Sequence, residues 1–191
     1  MTQEVFEKYF ETARKLMKKT KDANHDWGHV ERVMNRALKI KNLLSEEKQQ
    51  QVDDSLLKLI CVWHDASYIF YKAGIAQYFL EGKREAKVVE KYIDSDISSK
   101  EKEILVDAVK HHTWADLGRL NRKRSLCHQL LQDADWLDEF SQERAEGVKE
   151  LAKKSVYWWL AHNFVMPIFF GRLKKNKAKH LNLKESQSLI T

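Results

Sequence analysis

Four short stretches of this chain gather side chains that could do chemistry. They are His25–His29 (HDWGH), Trp63-His64-Asp65, Lys110-His111-His112 and Gln132–Asp138 (QDADWLD). Five of the eight histidines fall in the first three. One His-Asp doublet says little, since roughly half of one is expected by chance in such a chain. Order and placement say more. A histidine in the first turn of one helix, a His-Asp at the end of a buried helix and an aspartate midway along a third helix supply two imidazoles and two carboxylates. Such a mixed nitrogen–oxygen set suits Mn²⁺, Fe²⁺, Co²⁺, Ni²⁺ or Mg²⁺ better than a thiolate-rich structural zinc site does. Helical bundles assemble ligands of this kind in their cores.

The candidate metal ligands are therefore His29, His64, Asp65 and Asp135. His25 lies four residues before His29 and shares its helical face. It is a second-metal ligand, a substrate contact or a packing residue at the helix entry. Of His111 and His112, one must face inward with Leu105, Ala108 and Val109, and His112 fits that face better. Both are candidates for a catalytic role beside Asp65. The alternative is a buried histidine bonded to a carboxylate. Lys72, Lys83, Arg84 and Lys110 lie close to the clusters in sequence and are candidates for binding a phosphate. Asp133 and Asp138 flank Asp135 and are expected to cap, to pair with bases or to orient ligands.

The elements that must position these groups read as helices throughout. Phe6, Phe10, Ala13, Leu16 and Met17 recur at helical spacing over Gln3–Lys19. Asp26 is a good N-cap for a helix to about Leu44, with Val30, Val33, Ala37 and Ile40 inward. Asp54–Asp65 is apolar almost all round, as a central bundle helix must be. Its terminal His64-Asp65 is then a buried polar pair in need of partners. A further helix is expected from about Arg84 to Ile93. Ser98 and Glu101 form a capping box opening another to about His112. Trp114–Arg124 reads as irregular. Ser125–Phe140 is helical, with Leu126, Leu130, Leu131 and Ala134 inward. Helix is expected again over Gln142–Phe164, broken near Pro167, and in the tail. No strand alternation is visible, and the fold class is all-α.

The 191 residues suit one domain. With 43% apolar and 32% charged residues, one proline and six glycines, composition favours long helices over a turn-rich β fold. Cys61 and Cys127 belong to no CxxC pattern and read as reduced core residues. Met1–Lys21 is charged throughout, and no apolar run reaches a membrane span. A cytoplasmic setting is expected. The segment 171–191 carries +5 of the net charge of +6, through Arg172, Lys174, Lys175, Lys177, Lys179 and Lys184 against Glu185. The basic isoelectric point thus describes a tail, read as a solvated charge run, and no nucleic-acid motif accompanies it. Before it, Tyr157, Trp158, Trp159, Leu160, Phe164, Val165, Ile168, Phe169 and Phe170 make an aromatic-rich patch. It reads as core packing of the last helices or, less simply, as a membrane-surface contact.

His29 followed by Arg32-Val33 (HVERV), the doublet His64-Asp65, and Asp135 within DADWLD together resemble the HD superfamily of metal-dependent phosphohydrolases. The resemblance spans about 24–143. It implies an HD-domain helical bundle, taken here as 1–170, with a basic helical tail at 171–191. It implies that His29, His64, Asp65 and Asp135 hold a divalent cation. The implied reaction is hydrolysis of a phosphate ester or anhydride, in a nucleotide or similar small metabolite, by metal-activated water. Two departures narrow it. Some nucleoside-monophosphate phosphatases of the family carry a Glu three residues beyond the doublet's Asp, where this chain has Tyr68. The HHExxDGxGYP signature of the cyclic-dinucleotide branch is absent, because Thr113-Trp114 follows His111-His112. The alternatives are a non-catalytic HD-like module that binds a nucleotide or a partner, and a peripheral membrane or nucleic-acid protein acting through its basic tail.

Overall fold

The computed structural model describes residues 1–20, 22, 24–113, 124–165, 167, 171 and 177–190. Its helices are α1 Gln3–Met17, α2 Trp27–Leu43, α3 Glu46–Gln50, α4 Asp54–Trp63, α5 Ile75–Tyr92, α6 Ser99–His111, α7 Leu126–Asp138, α8 Gln142–Ala152 and α9 Val156–Leu160. No strand occurs among the described residues, and the fold is all-α. No helix among them is long and apolar enough to cross a membrane.

α4 is the hub. Leu56, Leu57, Leu59, Ile60, Cys61, Val62 and Trp63 are all buried, so every side of this helix is covered. α1, α2, α6 and α7 pack around it, and α2 and α7 also pack on each other. Side-chain caps fix where the helices start: Asp26 accepts from the His29 N–H, Asp53 from Leu56, Ser125 from His128 and Ser141 from Arg144. Each satisfies one of the N–H groups a helix start leaves without a partner. Ser98 and Glu101 form the reciprocal capping box that the sequence announces. α5 and α6 cross at Gly82, where an added Cβ would lie 1.9 Å from the Lys110 carbonyl oxygen.

Four details differ from the sequence expectations. α4 stops at Trp63, so His64 is its C-cap and Asp65 leaves the helix at φ −111°, ψ 14° to enter a 3-10 turn at Ala66–Ile69. α5 starts at Ile75, nine residues before the expected Arg84. Its first half hides from pattern reading because Gln77 and Glu81 are buried while Phe79 and Leu80 are exposed. The expected run Gln142–Phe164 is divided between α8, α9 and a π turn at Ala161–Val165. Of the aromatic patch, Trp159, Leu160 and Phe164 are exposed rather than core, while Tyr157 and Trp158 are half-buried.

In the described part of the tail Lys179 and Lys184 are exposed, as a solvated charge run requires, but the segment itself is packed. Two 3-10 turns, Lys177–His180 and Glu185–Leu189, lie against the body, with Leu183 and Ser186 buried. The Asp133 carboxylate holds them. It accepts from the Asn182 backbone N–H and side-chain amide (2.7 Å each), the Leu183 N–H (2.9 Å) and the Ser186 hydroxyl (2.7 Å). Arg172, Lys174, Lys175, Ile168, Phe169, Phe170 and the stretch 114–123 lie outside the described residues.

Candidate metal centre

α2 contributes His29 from its first turn, held by the Asp26 cap. α4 contributes His64 at its C-cap and Asp65 one residue on. α7 contributes Asp135 and, one turn later, Asp138. The Nε2 atom of His29 lies 3.1 Å from Asp65 Oδ2, 3.2 Å from His64 Nε2 and 3.4 Å from Asp135 Oδ1. His64 Nε2 lies 3.4 Å from Asp65 Oδ2 and 3.9 Å from Asp135 Oδ1. The four residues named from the sequence therefore converge from three helices. His29 and His64 are fully buried, Asp65 nearly so, and the Asp135 side chain is 20% exposed.

The other ring nitrogens explain why the Nε2 atoms face inward. His29 Nδ1–H donates to Asp138 Oδ2 at 2.7 Å. His64 Nδ1–H donates to the Cys61 carbonyl at 2.7 Å. His112, the C-cap of α6, does the same to the Val109 carbonyl at 2.7 Å. Each bond satisfies one nitrogen and leaves Nε2 free to face a ligand. His112 Nε2 lies 3.9 Å from Asp65 Oδ1, whereas His111 is turned towards Asp107, 3.9 Å away. Of the two, the structure brings His112 alone to the cluster. The His111 carbonyl instead accepts from Gln132 (2.9 Å) and His128 (3.2 Å), which pins the end of α6 to α7.

Charge follows geometry. Burial and Arg144 oppose a charged His29, but the carboxylates of Asp135, Asp138 and Asp65 around it outweigh them and lift its pKa to about 10. Burial drives His64 down to about 4, against the pull of Asp65 and Asp135. His29 thus carries a proton on Nε2 that faces the lone pair of His64. Burial works against ionised Asp65 and Asp135, yet the surrounding imidazoles keep Asp65 well below the carboxylate range and bring Asp135 to about 2.

A divalent cation fits this set. Ligand atoms that each sit ~2.0–2.2 Å from one ion lie roughly 3–3.6 Å from one another, close to the observed spacings. Asp65 Oδ2 is buried without a hydrogen bond, as a carboxylate oxygen awaiting a cation would be. The trios His29-His64-Asp135, His64-Asp65-His112 and His25-Asp65-Glu81 each bring one donor atom per residue within 4.8 Å of one another.

His25 is buried, stacks on Tyr68 (ring centroids 3.6 Å apart) and lies 3.3 Å from Asp22 through Nδ1. It therefore belongs to the cluster's wall and is not merely at the helix entry. The four phosphate candidates fare unequally. Lys72, Lys83 and Lys110 are exposed. Arg84 is half-buried, donates to Gln77 and covers the Tyr71 ring at 4.0 Å. Gln77 in turn donates to the Ser67 hydroxyl at 2.6 Å, just beyond Asp65.

The sequence reading missed two acids and a base. Glu81 and Glu85 are buried on the inner face of α5, and burial raises both well above the carboxylate range. Glu81 bonds the Tyr68 side chain, and Glu85 accepts from the Ser67 N–H at 2.7 Å. Arg144 in α8 is 6% exposed. Its Nη1 donates to the Asn24 carbonyl at 2.6 Å and lies 2.8 and 3.1 Å from the two ring nitrogens of His29. Its Nη2 donates to Glu139 at 2.7 Å. The recurrence of Gln77, Glu81 and Glu85 every fourth residue was the available signal for the acids. Nothing in the pattern of α8 marks Arg144 as an inward residue.

Comparison with family models, with curated proteins and with solved structures gives no match to this chain. Its functional reading rests on the geometry of the site.

Proposed function

We propose that this chain is a divalent-cation-dependent phosphohydrolase of the HD type, cleaving a phosphate ester or anhydride in a nucleotide or similar small metabolite. The observation that carries the reading is the meeting of His29 Nε2, His64 Nε2, Asp65 Oδ2 and Asp135 Oδ1, with each imidazole fixed from behind through Nδ1. A divalent cation held there would lower the pKa of a water and withdraw charge from a phosphoryl oxygen. The chain's own groups do the rest. Asp138 and the Cys61 carbonyl hold the two rings in one tautomer, so no reorganisation is needed during the reaction. His112 Nε2 lies near Asp65 Oδ1, where it can hydrogen-bond a substrate or leaving-group oxygen. Glu81, whose pKa burial and the neighbouring Asp65 raise well above the usual carboxylate range, is a candidate proton donor within the same enclosure.

The test is turnover by protein loaded with Mn²⁺, Co²⁺ or Mg²⁺ on a panel of nucleotides and simple phosphate esters. Cation-dependent release of phosphate that disappears in Asp65→Ala, with helicity retained, supports the assignment. Equal turnover in that variant ends it. A non-catalytic binding module would bind a nucleotide with no turnover under any cation.

A further inference from the structure

We propose that Arg144 is the phosphate-binding residue of this site, seating a terminal phosphoryl group against the candidate cation centre. This inference rests on the phosphohydrolase reading and names a group that the sequence did not offer.

Arg144 is buried and bonded on two of its three nitrogens. Nη1 serves the Asn24 carbonyl and Nη2 serves Glu139. Its Nε–H is buried and has no partner. Left so, a charged donor is costly, which makes an acceptor from outside the chain the natural partner. The guanidinium cannot drift away to find one. Glu139, Asp135, Asp65 and Asp138 hold it charged, and the Ser141 hydroxyl caps the helix start at its own N–H. It lies beside the atom on which the four ligands converge, since Nη1 is 3.1 Å from His29 Nε2. One oxygen of a tetrahedral phosphate could meet Nε–H while another faces the ligand cluster.

Arg32 and Arg36 both bond Asp138, whereas the buried Arg144 keeps an Nε–H with no partner. None of the exposed lysines near the site has this enclosure. His29 and His64 are fully buried and Asp65 almost so, and of the four ligands only Asp135 has appreciable exposure, so the group that enters is a chain end with free oxygens.

The test uses the full chain loaded with Mn²⁺ and titrated with inorganic phosphate by calorimetry, with metal content and helicity measured alongside. Arg144→Lys keeps the charge but loses the directed Nε–H. It should keep its Mn²⁺ and bind phosphate about 10- to 100-fold more weakly, the cost of one charge-assisted hydrogen bond. Glu139→Gln removes the acid that competes for the guanidinium and should bind phosphate more tightly than the parent. Dimethyl phosphate, capped on two oxygens, should not compete. Phosphate binding unchanged in both variants overturns the proposal. So does loss of Mn²⁺ or of folding in Arg144→Lys without tighter phosphate binding in Glu139→Gln, because Arg144 would then be purely structural. Dimethyl phosphate binding as tightly as phosphate overturns the terminal-group assignment. A parent protein that takes up no Mn²⁺ speaks instead against the metal reading itself.

Discussion

The carboxylate of Asp138 accepts the Nδ1–H of His29 at 2.7 Å, across the contact between α7 and α2. The same carboxylate takes Arg32 Nε at 3.0 Å and a bond from Arg36. α7 thus sends two aspartates to one imidazole, three residues apart and on one face. Asp135 meets Nε2 in front, and Asp138 fixes Nδ1 behind. Asp138→Asn keeps an oxygen for the N–H but removes the charge that steadies the ring. Its affinity for Mn²⁺ should fall about 10- to 100-fold, as for other partners that orient a metal-binding histidine. Calorimetric titration of the purified variant checks this, and parent-like affinity contradicts the role given to Asp138.

Protons and cation compete at His29, and this sets the pH profile of the metal-free protein. His29 has its folded pKa raised from 6.5 to about 10. That contribution is complete below pH 6.5 and is lost as pH rises towards 10. His64 and His128 have theirs lowered by burial from 6.5 to about 4. Those groups favour the folded state above pH 6.5 and weaken it as pH falls towards 4. The histidine contributions to the stability of metal-free protein should therefore be jointly greatest near pH 6.5, with the raised carboxyls of Glu81 and Glu85 opposing the acid-side loss. Chemical denaturation at a series of pH values measures them, and His128→Gln should flatten the acid side. A maximum above pH 8 would contradict the assignment for His29.

Close approach of two backbones makes Gly82 a stability determinant. A methyl group there meets the Lys110 carbonyl oxygen at 1.9 Å, so α5 and α6 must separate. Gly82→Ala should cost about 1–3 kcal/mol, the usual range for overpacking. Thermal unfolding of the variant checks it, and an unchanged Tm shows that the crossing is looser than described.

The tail is expected to be a latch on α7. Asp133→Ala strands the Asn182 and Leu183 N–H groups and the Ser186 hydroxyl that its carboxylate accepts. Loss of these bonds should destabilise the protein by about 2–4 kcal/mol and open the tail to proteolysis. A tail as protease-resistant as the parent's would argue against the latch.

Much of the fold was legible because capping and periodicity are local. Asp26, Ser98 and Glu101 announced helix starts, and the apolar run of α4 announced the hub. His29, His64, Asp65 and Asp135 were legible by residue type and order. What was hidden depends on tertiary contact. Glu81 and Glu85 look like solvated charges until α5 is seen to bury its polar side. Arg144 belongs to α8, where its neighbours Glu143, Ala145 and Glu146 are exposed. Asp133 reads as one more acid near Asp135, and only folding gives it the tail. Choosing among Lys72, Lys83, Arg84 and Lys110 by nearness in sequence could not find a base brought in from 79 residues beyond the doublet's Asp65.

The most direct measurement is the number of Mn²⁺ ions bound per chain at pH 7, in the parent and in Asp135→Ala with its helicity verified. The account predicts tight uptake by the parent, released with a proton from His29, and a loss of at least about tenfold in affinity in the variant. A parent that binds no divalent cation, or a variant that binds it equally well, contradicts the claim that these side chains share an ion.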